Sequence, residues 1–189
     1  MGSSLGQFCT RPADVVAPEL LGAVITHGGV AVRITEVEAY LGVNDPASHC
    51  ARGLTPANAA MFGPPGRWYV YHSYGIHKAG NIVCHPDGGS GGVLLRAGEV
   101  ISGQDLAASR RGPVPHHRLA SGPGNLGKTL GLEIDDNGTP VALELPGSTP
   151  DIVVGPRIGI TKNTDALLRF WIPGEPTISA RKSFTRFLA

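Results

Sequence analysis

The run from Val30 to Tyr40 constrains this chain more than any other stretch. Val30, Val32 and Ile34 recur with the period of a half-buried β-strand. Side chains two apart point to one face, so Glu36, Glu38 and Tyr40 are expected to continue the face those three begin. A strand that is apolar for three positions and then sets two carboxylates and a phenol on the same side demands a reason, because carboxylates are rarely buried without a partner. Two readings fit the residues. In one, the strand leaves the core here and the pair is solvated or meets an Arg. In the other, a carboxylate forms the floor of a catalytic cleft. Two carboxylates about 6–7 Å apart would repel, and one could then hold a raised pKa suited to a general base.

The length of 189 residues allows one domain with a sizeable core, and 41% hydrophobic with 16% charged residues excludes a disordered chain. No apolar run approaches a membrane span, and the N-terminus lacks the apolar core of a signal peptide. Cys9, Cys50 and Cys84 are odd in number and form no Cys-x-x-Cys, which suits a reducing, cytoplasmic setting. The net charge of +1 does not announce nucleic acid, although twelve of the sixteen basic residues are Arg, the better bidentate ligand for phosphate. Residues 1–10 and 180–189 are expected to fray.

In chain order, Pro12 to Leu21 reads as a short helix interrupted by Pro18, and Ala23 to Thr26 as a strand that returns through His27-Gly28-Gly29 into Val30 to Tyr40. After a polar loop, Thr55 is placed to cap a helix from Pro56 to Met61. Trp68 to Tyr74 is the most aromatic stretch; Trp68, Val70 and His72 share one face, Tyr69, Tyr71 and Ser73 the other. Ile76 to His85 returns as its hairpin partner, with Tyr74 near the tip. There it either packs sideways on the domain or serves as a wedge for a base stack. Val93 to Ala97 reads as a buried strand whose Arg96 needs a carboxylate or phosphate, with Glu36 or Glu38 the obvious partner. Gly103 to Arg111 reads as a helix ending in Arg110 and Arg111, which are available to phosphates.

Gly122 to Thr129 matches the phosphate-loop pattern G-x-x-x-x-G-K-[ST] letter for letter, with Lys128 as its lysine. That pattern needs a buried strand directly before it, and Pro113 to Ser121 cannot be a central strand. Nucleotide hydrolysis is therefore not the reading taken, although a helix start that meets a phosphate remains. The histidines follow no metal-ligand spacing, so no metal is expected. Nothing in the sequence implies a cofactor.

The residues add up across the chain. Glu36-Val-Glu-Ala-Tyr-Leu-Gly42, Asp45-Pro-Ala-Ser-His49, Thr55-Pro-Ala-Asn58, Met61-Phe-Gly63, Tyr69-Val-Tyr71, Tyr74-Gly75, Asn81, Val93-Leu-Leu-Arg-Ala97, Arg110-Arg111, Ser121-Gly-Pro-Gly124, Arg157-Ile-Gly159 and Arg169-Phe170 occur in one order. From about Leu20 to Ser179 the chain resembles the alkyladenine (3-methyladenine) DNA glycosylase family. The resemblance implies a single mixed α/β (α+β) domain with a curved, largely antiparallel sheet, flanking helices and a protruding β-hairpin. It implies a monofunctional glycosylase of base excision repair, which flips an alkylated or deaminated purine out of duplex DNA and hydrolyses its N-glycosidic bond, leaving an abasic site. Glu38 would activate the water, and Arg96 and the backbone carbonyl of Ile158 would help hold it. Tyr40, His49 and Tyr71 would line the pocket and stack on the base, Asn81 would reject an undamaged guanine, and Tyr74 would fill the gap in the duplex. The phosphate-loop match becomes the family's Gly-Pro-Gly helix start, leaving Arg110, Arg111 and Lys128 as candidate DNA-backbone contacts. The implied partner is damaged double-stranded DNA met by a monomer, in a bacterial-type cytoplasm on the nucleoid.

Residue chemistry agrees with this. A target inside a duplex must be extruded, and aromatic faces attract the cation that alkylation creates. One carboxylate acting as base suits an oxocarbenium-like transition state. Ala57, Asn125 and the segment Lys78-Ala-Gly80 depart from the family pattern, removing positive charge and loosening the hairpin or pocket wall, and suggest weak, salt-sensitive DNA binding. The alternatives are a damage-binding module without hydrolysis, and a nucleosidase or RNA glycosylase, for which Tyr74 would have no duplex to fill.

Overall fold

The long strand expected at Val30–Tyr40 is the axis of the molecule. The computed structural model describes residues 5–179 and the backbone of 186 and 187. Its helices are α1 (Leu5–Phe8), α2 (Ala13–Glu19), α3 (Gln104–Arg111) and α4 (Pro123–Leu130). Its strands are β1 (Val24–His27), β2 (Val30–Tyr40), β3 (Trp68–Ser73), β4 (His77–Val83), β5 (Gly92–Ser102), β6 (Ala120–Ser121), β7 (Ala142–Glu144), β8 (Val153–Gly155), β9 (Arg169–Trp171) and β10 (Arg186–Phe187). All join one sheet along the path β10-β8-β9-β2-β5-β4-β3, with β1 on β2, β7 on β1 and β6 on β5. Every pairing is antiparallel. This is the mixed α/β architecture with a largely antiparallel sheet that the sequence pointed to. Of the N-terminal segment 1–10 that was expected to fray, residues 1–4 lie outside the described residues, while Leu5–Phe8 is helical and Cys9 is fully buried. Most of the other expected frayed segment, 180–189, lies outside the described residues.

The face assignment along β2 is corrected by the structure. Ile34 pairs with Gly98 and Glu36 with Ala97, so Thr35 is an extra residue on β2. The next step, Glu36 to Val37, is matched by Ala97 to Leu95, so Arg96 is an extra residue on β5. Bulges of this kind bend a strand and re-aim its side chains. Val30, Val32 and Ile34 face the core, then Val37 and Ala39 do. The parity changes at Thr35, so Glu36, Glu38 and Tyr40 leave the apolar face instead of continuing it. Gly98 permits the offset: a Cβ there would lie 2.3 Å from Val32 Cγ1 and 2.6 Å from the Arg33 carbonyl oxygen.

The β3–β4 hairpin divides its side chains as its alternation predicted. Trp68 and Val70 join the main core, while Tyr69, with Tyr71 packed alongside, joins a second cluster with Cys50, Met61 and Val83. The helix expected from Pro56 is only a 3-10 turn over Ala59–Phe62, because the Asn58 side chain accepts the Thr55 N–H at 2.7 Å and donates to the His49 and Gly53 carbonyls.

The phosphate-loop lookalike is a packing device. The strand before it, β6, is two residues long. Thr129 is fully buried and its hydroxyl donates to the Leu119 carbonyl at 2.6 Å, so it cannot serve a magnesium ion. Gly127 lets α4 lie against β4: a Cβ there would come 1.9 Å from the Lys78 carbonyl oxygen. In an open helix Gly→Ala stabilises; here the neighbour is backbone and cannot yield. Gly127→Ala is expected to destabilise the fold by about 1–3 kcal/mol, and an increased denaturation midpoint would contradict this packing.

Candidate active site

Bulged β2 and β5 bring two carboxylates and Arg96 to the face of the sheet opposite the main core. Glu36 and Glu38 are both fully buried, and Arg96 nearly so. Arg96 Nε donates to Glu36 Oε1 at 3.2 Å, and its Nη1 lies 3.2 Å from Glu38 Oε1. Both carboxylates expected as alternative partners of Arg96 therefore share it. Neither is solvated, and neither faces the other across open space.

The two differ in which residues hold them. Glu36 also meets Arg169 Nη1 at 3.1 Å, and its second oxygen accepts the Ser179 backbone N–H at 2.6 Å. Arg96 Nη2 closes the ring by donating to the Ser179 hydroxyl. Arg169 lies over the Trp171 ring, its guanidinium carbon 4.2 Å from the centroid, and donates to the Pro156 carbonyl. Glu36 is thus locked by two guanidiniums and a backbone amide. Glu38 Oε1 accepts the Ile158 N–H at 2.8 Å, and Oε2 accepts the Tyr40 hydroxyl at 2.9 Å. With one hydrogen bond on Oε2, a carboxylate lone pair is left for a further donor. Burial and the nearby Glu38 charge push the Tyr40 phenol far up, so it stays a proton donor.

Above this cluster opens a cavity of about 710 Å³, a size typical of small-molecule sites. Tyr40, His49, Tyr69, Tyr71, Asn81 and Arg96 line it, with Tyr74 at its rim. The sequence-predicted pocket residues Tyr40, His49, Tyr71 and Asn81 are thereby brought together. Tyr69 and Tyr71 stack with centroids 5.7 Å apart, and His49 meets Tyr71 edge-on at 4.5 Å. His49 Nδ1 is 2.8 Å from the Tyr69 hydroxyl. Burial lowers the His49 pKa and raises that of Tyr69, so a neutral imidazole faces a protonated phenol. Asn81 is buried and donates to the Tyr69 carbonyl at 3.1 Å.

Tyr74 sits at the hairpin tip with φ 51° and is 87% exposed, beside Ile76 at 79%. Of the two readings open for it, sideways packing does not occur. A non-glycine residue held in the left-handed region is uncommon and costs backbone strain.

The candidate phosphate contacts Arg110 and Arg111 are half-buried at the end of α3. Arg110 donates to the Thr129 and Gly28 carbonyls, and Arg111 Nε to the Leu119 carbonyl, so both tie α3 to neighbouring backbone. Lys128 remains exposed on α4. Lys78, on the hairpin, pairs with Glu133.

Several residues of the site escaped sequence reasoning. Arg157 and Asp45 form a fully buried pair, with Arg157 also donating to the Ala39 carbonyl at 3.0 Å. Burial alone would raise the Asp45 pKa; the Arg157 bonds and charge and the Ala47 and Leu41 amides outweigh it and hold the carboxyl below its usual range. Lys162 lines the cavity mouth from the same loop. Asp45 and Arg157 each stand in a motif with the pattern of the site, but no spacing rule joins positions this far apart.

The chain matches the profile of the Methylpurine-DNA glycosylase (MPG) family over residues 7–176. It is 62% identical over 182 residues to a Corynebacterium glutamicum protein named "Putative 3-methyladenine DNA glycosylase", covering 93% of this chain and 96% of that one. Proteins of the same name from Cutibacterium acnes and Rhodopseudomonas palustris are 50% and 47% identical. The first match covers 92% of this chain and 98% of the relative, the second 95% and 88%.

The depressed His49 pKa has a consequence for stability. Its folded pKa lies below its unfolded value, so the unfolded chain binds the extra proton first and stability falls as pH drops below about 6.5. Chemical denaturation of His49→Asn is expected to show less loss between neutral and mildly acidic pH than wild type. An equal loss in both would place the effect elsewhere.

Proposed function

The chain belongs to the methylpurine-DNA glycosylase family, and from that premise we propose that it takes an alkylated or deaminated purine out of duplex DNA and hydrolyses its N-glycosidic bond with water activated by Glu38. As a member it is a DNA glycosylase, a hydrolase of N-glycosyl bonds. The observation that carries the finer reading is the buried Glu38, oriented on both oxygens, beneath an aromatic cavity whose rim holds an exposed, left-handed Tyr74.

The geometry supports one role for each residue. Tyr74 enters the base stack as the nucleotide leaves, offsetting the lost stacking. Tyr40, His49 and Tyr71 hold the extruded base, and their rings attract the positive charge that alkylation confers. A neutral His49 that accepts from the Tyr69 hydroxyl carries its proton on Nε2, a donor for the base. Asn81, anchored to the Tyr69 carbonyl, is the group that tests the edge of a guanine. Glu38 takes a proton from water through the free lone pair of Oε2 as the sugar carbon gains oxocarbenium character. Arg96 and the Ile158 carbonyl hold that water, and the Ile158 amide on Glu38 keeps the loop in place for it. Glu36 is held by Arg96, Arg169 and Ser179, and neither Arg169 nor Ser179 lines the cavity, so the base is assigned to Glu38.

The product is an abasic site. Lys78 is engaged with Glu133, which supports a monofunctional reaction. The enzyme acts as a monomer on duplex DNA, with binding that weakens steeply with salt.

Single-turnover release of ethenoadenine, hypoxanthine and methylated bases from duplexes tests this. Glu38→Gln is expected to bind damaged duplex and release base about 10²–10⁴ times more slowly. Release unaffected by that substitution would remove Glu38 as base, and binding without release by wild type would favour a damage-binding module. Tyr74→Ala is expected to weaken duplex binding by roughly 1–3 kcal/mol, the scale of one aromatic–base stack. Borohydride treatment should trap no adduct; a covalent adduct lost in Lys162→Ala would instead assign strand cleavage to that lysine.

A further inference from the structure

The Tyr40 ring lines the cavity, whereas Arg157 does not. Arg157 lies over that ring, its guanidinium carbon 4.6 Å from the centroid. The guanidinium is paired with Asp45, which accepts Nη1 and Nη2 at 2.5 and 2.9 Å and also takes the Leu41 amide, the Ala47 amide and the Asn163 side chain. Both side chains are 0% exposed. Neither bulk water nor salt screens charges so enclosed.

A cation over one face of an aromatic ring weakens what the ring offers to a cation on the other, by direct repulsion across it. The carboxylate paired with the first cation restores part of that attraction. Both buried charges lie at one wall of the cavity, beside the Tyr40 ring, so a base in the cavity feels the balance between them. We propose that the Arg157–Asp45 pair is a specificity-determining device that sets how strongly the cavity distinguishes cationic from neutral purine bases, acting through Tyr40 without touching the base. This rests on the glycosylase reading above and adds to it a residue pair that governs substrate charge.

The opposite signs of the two charges supply the test. Single-turnover release is measured in mildly acidic buffer from duplexes bearing cationic 7-methylguanine and from duplexes bearing neutral ethenoadenine. The readout is the ratio of the two rates within one preparation, which is insensitive to the folded fraction. Asp45→Asn leaves the guanidinium uncompensated and is expected to lower the cationic-to-neutral ratio. Arg157→Gln removes the positive charge beside the ring and is expected to raise the ratio. Each change should be about tenfold, the scale of one weakly screened charge across a ring at an effective dielectric of about 20. The double variant Asp45→Asn/Arg157→Met, which removes both charges, should fall between the singles, so any two folded variants of the three decide the matter. Ratios that move in the same direction, or do not move, overturn the inference and leave the glycosylase reading standing. Release of neither base by wild type overturns that reading and the inference with it.

Discussion

One guanidinium, that of Arg96, holds the centre of this protein together. It bridges Glu36 and Glu38 from the neighbouring strand, and it reaches them because β5 carries it as an extra residue opposite an extra residue of β2. Two offset bulges thus solve a problem that a regular ladder could not. They keep Val37 and Ala39 in the core while turning the alternate side chains, all ionisable or phenolic, to the other face. Burying an unpaired carboxylate costs several kcal/mol, so the bulges and the arginine are one device. The later segments complete it, since Arg169 from β9 and the amide of Ser179 supply the donors that Glu36 still lacks. Residues far apart in sequence become interdependent through a single buried acid.

This explains why two glutamates two residues apart have different fates. Glu36 is held by Arg96, Arg169 and the Ser179 amide in a closed ring of neighbours. Glu38 is held by Arg96, the Ile158 amide and the Tyr40 hydroxyl, and all three of these residues line the cavity. One strand thus sets two equally bonded acids in different surroundings, and only the second is held entirely by residues of the cavity wall.

Much of this was legible in the chain. The alternation of Val30 to Tyr40, the split faces of Trp68 to Ser73 and the hairpin tip at Tyr74 are local signals, and local periodicity carries them. The pocket residues Tyr40, His49, Tyr71 and Asn81 were identified through ordered motifs, and the fold does converge them. What was misread was non-local. A bulge is set by the partner strand, here by Gly98 and Arg96, so the reversal of faces at Thr35 has no signature within β2. Sequence shows the charges of Arg110 and Arg111 and not the carbonyls that they also meet. The phosphate-loop match, set aside for want of a strand before it, is seen in the fold as packing: Gly127 is there for the backbone of β4, and the threonine is buried. The pair of Asp45 with Arg157 joins two loops that only the folded sheet makes adjacent.

The left-handed backbone at Tyr74 has a consequence for how the protein meets a polymer of mostly intact sites. On the function proposed above, a side chain on a tip whose backbone is already turned would lose little freedom on insertion, and the work of entry would fall on the duplex. Passage along DNA would then be a mechanical assay: stacked, well-paired steps would resist the probe, and steps whose stacking is already weakened would yield to it. Selection would begin before any base reached the aromatic cavity, in the pliancy of the helix itself.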